Sequence, residues 1–170
     1  VLSLLSVIGC SAAYQERMSH DTDPSYLGST AWASACHAVP KATVVKVTLA
    51  DSVAAVRGRV IQALEELGMP PTSSSENLVE WNGGPNPDGL GGVYTRSVGV
   101  TITRLDMITV ARFGAFERVE FARSGQVSNN ALSNRNGGRG LMVWCRMAAA
   151  ADSLAARMRG TAQRKDEPSL

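Results

Sequence analysis

Aromatic side chains are scarce: three Trp, three Tyr and three Phe make 5% of the 170 residues. A core built from this chain must rest on Val, Leu, Ile, Met and Ala, and a binding surface made of stacked rings is excluded as a main theme. Histidine is scarcer still, with only His20 and His37. Both precede the segment that patterns as a folded domain, so a Ser-His-Asp or Cys-His pair needs the preceding chain to fold back over it. A large excess of one sign of charge is missing too, with 17 Lys and Arg against 15 Asp and Glu. The formal net charge is +2, too small to steer the chain to nucleic acid. No apolar run approaches the ~20 residues a membrane-spanning helix needs. No Gly-Lys-Ser/Thr opens a helix, so there is no Walker-type phosphate loop. His20-Asp21-Thr22-Asp23 lacks the remaining oxygen ligands and the glycine of a calcium loop, and one His makes a poor zinc site.

What is present begins at the front. Residues 1–9, VLSLLSVIG, are uncharged and about as long as the apolar region of a signal peptide, and they read as a signal-peptide remnant. The run stops at a cysteine. Val7-Ile8-Gly9-Cys10 resembles the lipobox of bacterial lipoproteins, with Val7 in the position that usually holds Leu. The resemblance covers about ten residues and implies an address: cleavage before Cys10, lipid on its sulfur, and a membrane anchor. Ser11 in place of Asp resembles outer-membrane sorting, with the domain facing the periplasm. Each buried methylene contributes roughly 0.8 kcal/mol, and two acyl chains already anchor stably. A buried strand ending in a structural cysteine, or a plain secretory signal, are the alternatives.

With Cys10 lipidated, Cys36 and Cys145 remain, an even number suited to an oxidising compartment. They are the candidate disulfide; two free buried thiols are the alternative. Residues 10–41 are rich in Ser, Ala, Asp and Pro without a period, and read as a lipidated flexible tether.

The globular domain is expected over residues 42–160. Ala42 to Leu49 is β-branched and reads as a strand. Asp51 or Ser52 can cap a following helix. Val53, Val56, Val60, Leu64 and Leu67 repeat at three- and four-residue steps on one face, Gly68 stops it, and Pro70-Pro71 prevent continuation. Asn77 to Trp81 reads as a short strand and NGGPNPDGLGG as a long connection. Val93 to Ala122 alternates as about three antiparallel strands, with turns at 104–106 and at Gly114-Ala115. Arg112, Arg118, Glu120 and Arg123 fall on its wet face. Residues 124–140 read as a mobile loop. A second helix is expected over about 141–159, with a strand over 141–147 as the rival. Residues 161–170 read as a disordered tail.

These elements give an α+β two-layer sandwich, an antiparallel sheet of about four to five strands with two helices on one face, in the order β-α-β-β-β-β-α. No catalytic, cofactor-binding or metal-binding residue is assigned. Glu76 with Glu80, or Asp106 with Glu117, are the only carboxylate pairs worth carrying for a hydrolase, and nothing places them in a cleft. The reading that follows is an envelope lipoprotein, held to the membrane through Cys10, whose domain contacts another envelope protein. A small-ligand or peptide-binding domain is the alternative. Oligomeric state is left open.

Overall fold

The computed structural model describes residue 36 and residues 40–87, 91–136 and 138–167. The expectations for Cys10, the signal remnant, most of the tether and the two histidines lie outside the described residues.

β1 (Val44–Leu49) is the β-branched run and sits inside the sheet, between β5 and β7. α1 (Val53–Glu66) follows at once; the Ser52 hydroxyl accepts from the Ala55 N–H at 3.3 Å and satisfies one donor of the first turn. Its apolar stripe buries Val56, Val60, Ala63 and Leu64. At the other end Gly68 takes φ 72°, and the N–H groups of Gly68 and Met69 close back onto the carbonyls of Glu65 and Leu64. This pair of bonds is the Schellman stop, and it folds Met69 into the core.

β2 (Ser73–Ser74), β3 (Leu78–Pro87), β4 (Gly92–Leu105), β5 (Ile108–Phe121), β6 (Val127–Ala131) and β7 (Thr161–Lys165) complete one antiparallel sheet of seven strands, and α2 (Gly138–Arg157) is the second helix. The strand order is β2-β3-β4-β5-β1-β7, with β6 beside the second half of β5. The α+β class and the antiparallel sheet are as expected; the strand count and several boundaries are not.

The expected three-strand meander is one long hairpin. β4 and β5 pair without interruption from Gly92↔Phe121 to Leu105↔Ile108, and there is no turn at Gly114-Ala115. Gly114 lies opposite Gly99, and the Phe116 ring covers the gap both leave on the sheet: a Cβ on Gly114 would meet it at 3.1 Å. An aromatic lying over cross-strand glycines restores the packing they lack, so the ladder runs through. The other expected turn is present, with Asp106 at φ 51°, a conformation that Asp tolerates better than most residues.

Three further expectations are corrected. The expected connection after Trp81 is strand: β3 continues to Pro87. The expected mobile loop contains β6 and a tight turn, in which the Asn136 side-chain oxygen accepts from the Ser133 N–H at 2.6 Å. The expected tail forms β7, paired with β1 from Thr48↔Thr161 to Val44↔Lys165. Apolar alternation is weak in TAQRK because only Ala162 and Arg164 face the helices, so the strand is held by its ladder rather than by burial.

The core lies between the sheet and the helices. Val45, Val47, Val79, Val98, Val100, Ile102, Ala111 and Phe113 share one face of the strands, by register. They are buried in one cluster with the α1 stripe and with Leu141, Trp144, Met147, Ala151 and Leu154 of α2. α2 is buried over most of its circumference, which settles the choice between helix and strand at 141–147.

Cys36 and Cys145 are joined in a disulfide with Cα atoms 5.8 Å apart, across a sequence separation of 109 residues. Cys145 is on the buried side of α2, 2% exposed. The end of the expected tether is thereby fixed to the core.

Candidate functional site

The site grows from an irregularity at the sheet edge. β3 pairs Asn82↔Ser97 and then Pro85↔Thr95, three residues of β3 against two of β4. The extra residue is a β-bulge, at Gly83-Gly84. Strand alternation puts residues an odd number apart on opposite faces. The bulge reverses this, so Trp81, opposite Val98, and Asn86, opposite Tyr94, both look toward the helices. Pro85 and Pro87 close the same edge to further pairing, since neither can donate a ladder hydrogen bond.

On β4 the helix-facing positions past the core are Tyr94 and Arg96. Arg96 is opposite Glu117, and their side chains form an ion pair at 2.7 Å. Arg96 also lies over the Tyr94 ring, 5.6 Å from its centroid. Its Nε is buried without a hydrogen-bond partner. The guanidinium is therefore held on two sides, with one donor unspent. The Trp81 ring lies so close to Gly83 that a Cβ there would meet it at 2.8 Å, so glycine is required by close approach.

α2 supplies the third wall. Arg139, Met142 and Val143, at successive steps along one side of its first turns, face Trp81, Asn86, Tyr94 and Arg96 across a cavity of about 250 Å³. Two rings, a thioether and an isopropyl group make its apolar part. Two guanidinium groups and a carboxamide make its polar part.

The carboxylate pairs carried from the sequence are not brought into a cleft. Asp106 is at the hairpin turn and Glu117 is nine residues along β5 from its first residue, roughly 30 Å away at the usual strand rise. Glu117 is engaged by Arg96. Glu80 accepts from the Ser73 hydroxyl at 3.3 Å, and Glu76 is exposed in the turn before β3. Among the described residues no three His, Cys, Asp or Glu side chains are grouped to hold a metal ion. Among them, too, no helix is long and apolar enough to cross a membrane.

The opposite face of the sheet carries a charged group that is structural. Glu167 accepts from Lys46 at 2.6 Å and from Arg112 at 3.4 Å, and its backbone is bonded to the Thr43 hydroxyl. The Lys46 hydrogen bond, against a smaller opposing effect of burial and helped by the nearby charges, holds the Glu167 carboxyl below its ordinary value. This ties the end of β7 across β1 to β5.

Trp81, Asn86, Tyr94, Arg96 and Arg139 escape a reading of the sequence alone. The signal was the Gly83-Gly84 pair inside a strand pattern, which marks a bulge; read as a loop, it hid the reversal of faces. Comparison with known proteins gives no relative: no family model, no curated protein and no solved structure matches the chain.

Proposed function

We propose that this chain is an exported lipoprotein, anchored in the bacterial envelope through lipid on Cys10, whose domain works by binding another envelope protein rather than by catalysis. The observation that carries the address is the Cys36–Cys145 disulfide. Bridges of this kind persist in oxidising compartments and are rare in the cytosol. Its placement also suits a tethered domain, because it fixes residue 36 to α2, and the 10–35 segment would then be the tether. A polar outer sheet face, with Lys46, Thr101 and Arg112 side by side in register, and a closed bulged edge fit docking to a defined partner better than open-ended strand pairing.

The test is incorporation of labelled palmitate in a bacterial host, with Cys10→Ser alongside. Label on the wild type, none on C10S, and an intact mass beginning at Cys10 are the expected results. An unlabelled, uncleaved protein in the cytosolic fraction with its two other thiols free overturns the assignment. The cavity between the bulge and α2 favours a second reading, a site for a small ligand on the same domain.

A further inference from the structure

We infer that this chain pairs with a second copy of itself through one end of the domain, the apolar tip of the β4–β5 hairpin of each copy seated in an arginine-rimmed groove of the other. Such pairing goes beyond the function proposed above and does not depend on lipid at Cys10.

Among the described residues five large apolar side chains are exposed, and three of them, Leu105, Met107 and Ile108, are at this one turn. Met107 is in the turn itself and 80% exposed. Leu105 and Ile108 are cross-strand partners on the face away from the helices. Exposed apolar groups gathered in one patch, unlike single ones, mark a contact surface. A hairpin tip is convex, so its counterpart is a groove. The tip also carries a charge: the Asp106 carboxylate is exposed and holds no hydrogen bond or ion pair among the described residues. The groove must therefore offer apolar lining and a cation together. A lipid surface offers this poorly, because the carboxylate would leave water along with its apolar neighbours.

Such a groove is present at the same end. It lies along α1 beside the last turn of α2, with a volume of about 580 Å³. Ala54, Ala55 and Met158 give it apolar lining, and Arg59, Arg157 and Arg159 give it charge. Glu66 answers Arg157 at 2.6 Å, and Arg59 is bonded to the uncharged Gln62. Asp51, the one acid in the lining, balances a second arginine, so one of the three positive charges remains. The Arg159 guanidinium holds no partner among the described residues. Arg159 also takes φ 53° just after α2, a position that glycine or asparagine fills more readily. An arginine kept there against its backbone preference, with its charge unanswered, is suited to an anion from outside.

Tip and groove adjoin. The Arg104 guanidinium donates to the carbonyl of Asp51, in the groove lining, and to the carbonyl of Asp106, in the turn, both at 2.9 Å. This brace fixes the tip relative to the groove before any contact forms, which lowers the cost of docking. Two complementary features side by side on one end are both satisfied by a two-fold axis between copies, each tip entering the other copy's groove. Met107 then meets Met158 and the alanines, and Asp106 meets Arg159.

The test is sedimentation equilibrium of the full oxidised chain carrying Cys10→Ser, so that no acyl chain contributes. A reversible monomer–dimer equilibrium with Kd on the order of 10–100 μM is expected, weakened by salt. Met107→Ser is expected to raise Kd at least about tenfold, and the exposure of Met107 leaves the monomer fold intact. Asp106→Asn and Arg159→Asn place a residue that tolerates positive φ, and each is expected to raise Kd about three- to tenfold. The two together are expected to cost no more than either alone, since both break one contact. A monomer at concentrations up to roughly ten times that Kd, an unchanged Kd in M107S, or additive effects of D106N and R159N overturns the inference. So does a monomeric chain whose tip is taken instead by phosphatidylglycerol vesicles or by a different protein. Palmitate labelling of Cys10 is unaffected by any of these results, so the anchor and the pairing fail separately.

Discussion

Asn134 and Ala42 are bonded to each other twice. The Ala42 N–H donates to the Asn134 side-chain oxygen at 3.0 Å, and the Asn134 N–H donates to the Ala42 carbonyl at 3.3 Å. The same side-chain amide donates to the carbonyls of Cys36 and Pro40. Asn134 is fully buried, 92 residues from Ala42, and it ties the entry to β1 to the chain leaving β6. Replacing Asn134 by Ala strands at least three buried backbone groups. The expected loss is about 2–4 kcal/mol of unfolding free energy, read by urea denaturation at unchanged m-value. A loss below about 0.5 kcal/mol means that water replaces the amide and the junction is not a clamp.

The disulfide restrains the same junction covalently. A bridge across 109 residues limits the unfolded chain, and its removal costs about 2–5 kcal/mol. Cys36→Ser is the cleaner variant, because residue 36 is only half-buried whereas Cys145 is in the core. C36S is expected to unfold at lower temperature than the oxidised wild type and to match the wild type under reducing conditions. Equal melting of oxidised wild type and C36S contradicts a stabilising bridge.

α1 was legible down to its cap and its stop, because every signal there is local: a hydroxyl before the first turn, a stripe at three- and four-residue steps, a glycine after the last. The sheet was legible as a class and not in its bounds. Gly114 and the Gly83-Gly84 pair carry turn chemistry in the sequence, and both are in strands. What overrides their preference is distant in the chain: Phe116 over the Gly99–Gly114 pair in one case, the ladder to β4 in the other. β7 was missed for the same reason, since its partner β1 precedes it by more than a hundred residues. The candidate pocket depends on the bulge, so no property of Trp81 or Arg96 alone could have revealed it.

Two glycines should respond to alanine in opposite directions. A Cβ on Gly160 would meet Leu49 Cδ2 at 2.3 Å and the Thr48 carbonyl oxygen at 2.6 Å, where backbone cannot yield cheaply. A Cβ on Gly58, exposed in the middle of α1, meets nothing within 4 Å. Gly160→Ala is expected to destabilise by about 1–3 kcal/mol and Gly58→Ala to stabilise by about 0.5–1 kcal/mol. Denaturation midpoints of the two variants, measured together, check the packing of β7 against β1 and the exposure of α1. Midpoints moving in the same direction refute one of the two placements.

The Glu167 carboxyl titrates below its ordinary value of 4.5, chiefly because Lys46 hydrogen-bonds its charged form. Glu66 is lowered as well, chiefly by its hydrogen bond from Arg157. A lowered folded-state pKa means that the unfolded chain takes up protons first as pH falls. The stability these pairs contribute is therefore present above 4.5 and is lost on acidification through the folded-state values. Glu66 is exposed and its ion pair with Arg157 is screened by solvent, so it contributes little; Glu167, which joins β7 to β1 and β5, is the informative site. Glu167→Gln is expected to be less stable than the wild type at neutral pH. The gap between the two should close as pH drops below the ordinary carboxylate range, because the wild-type side chain is then neutral too. Unfolding free energies from pH 7 downward measure this, and two parallel curves would show that the Lys46–Glu167 contact carries no net electrostatic stability.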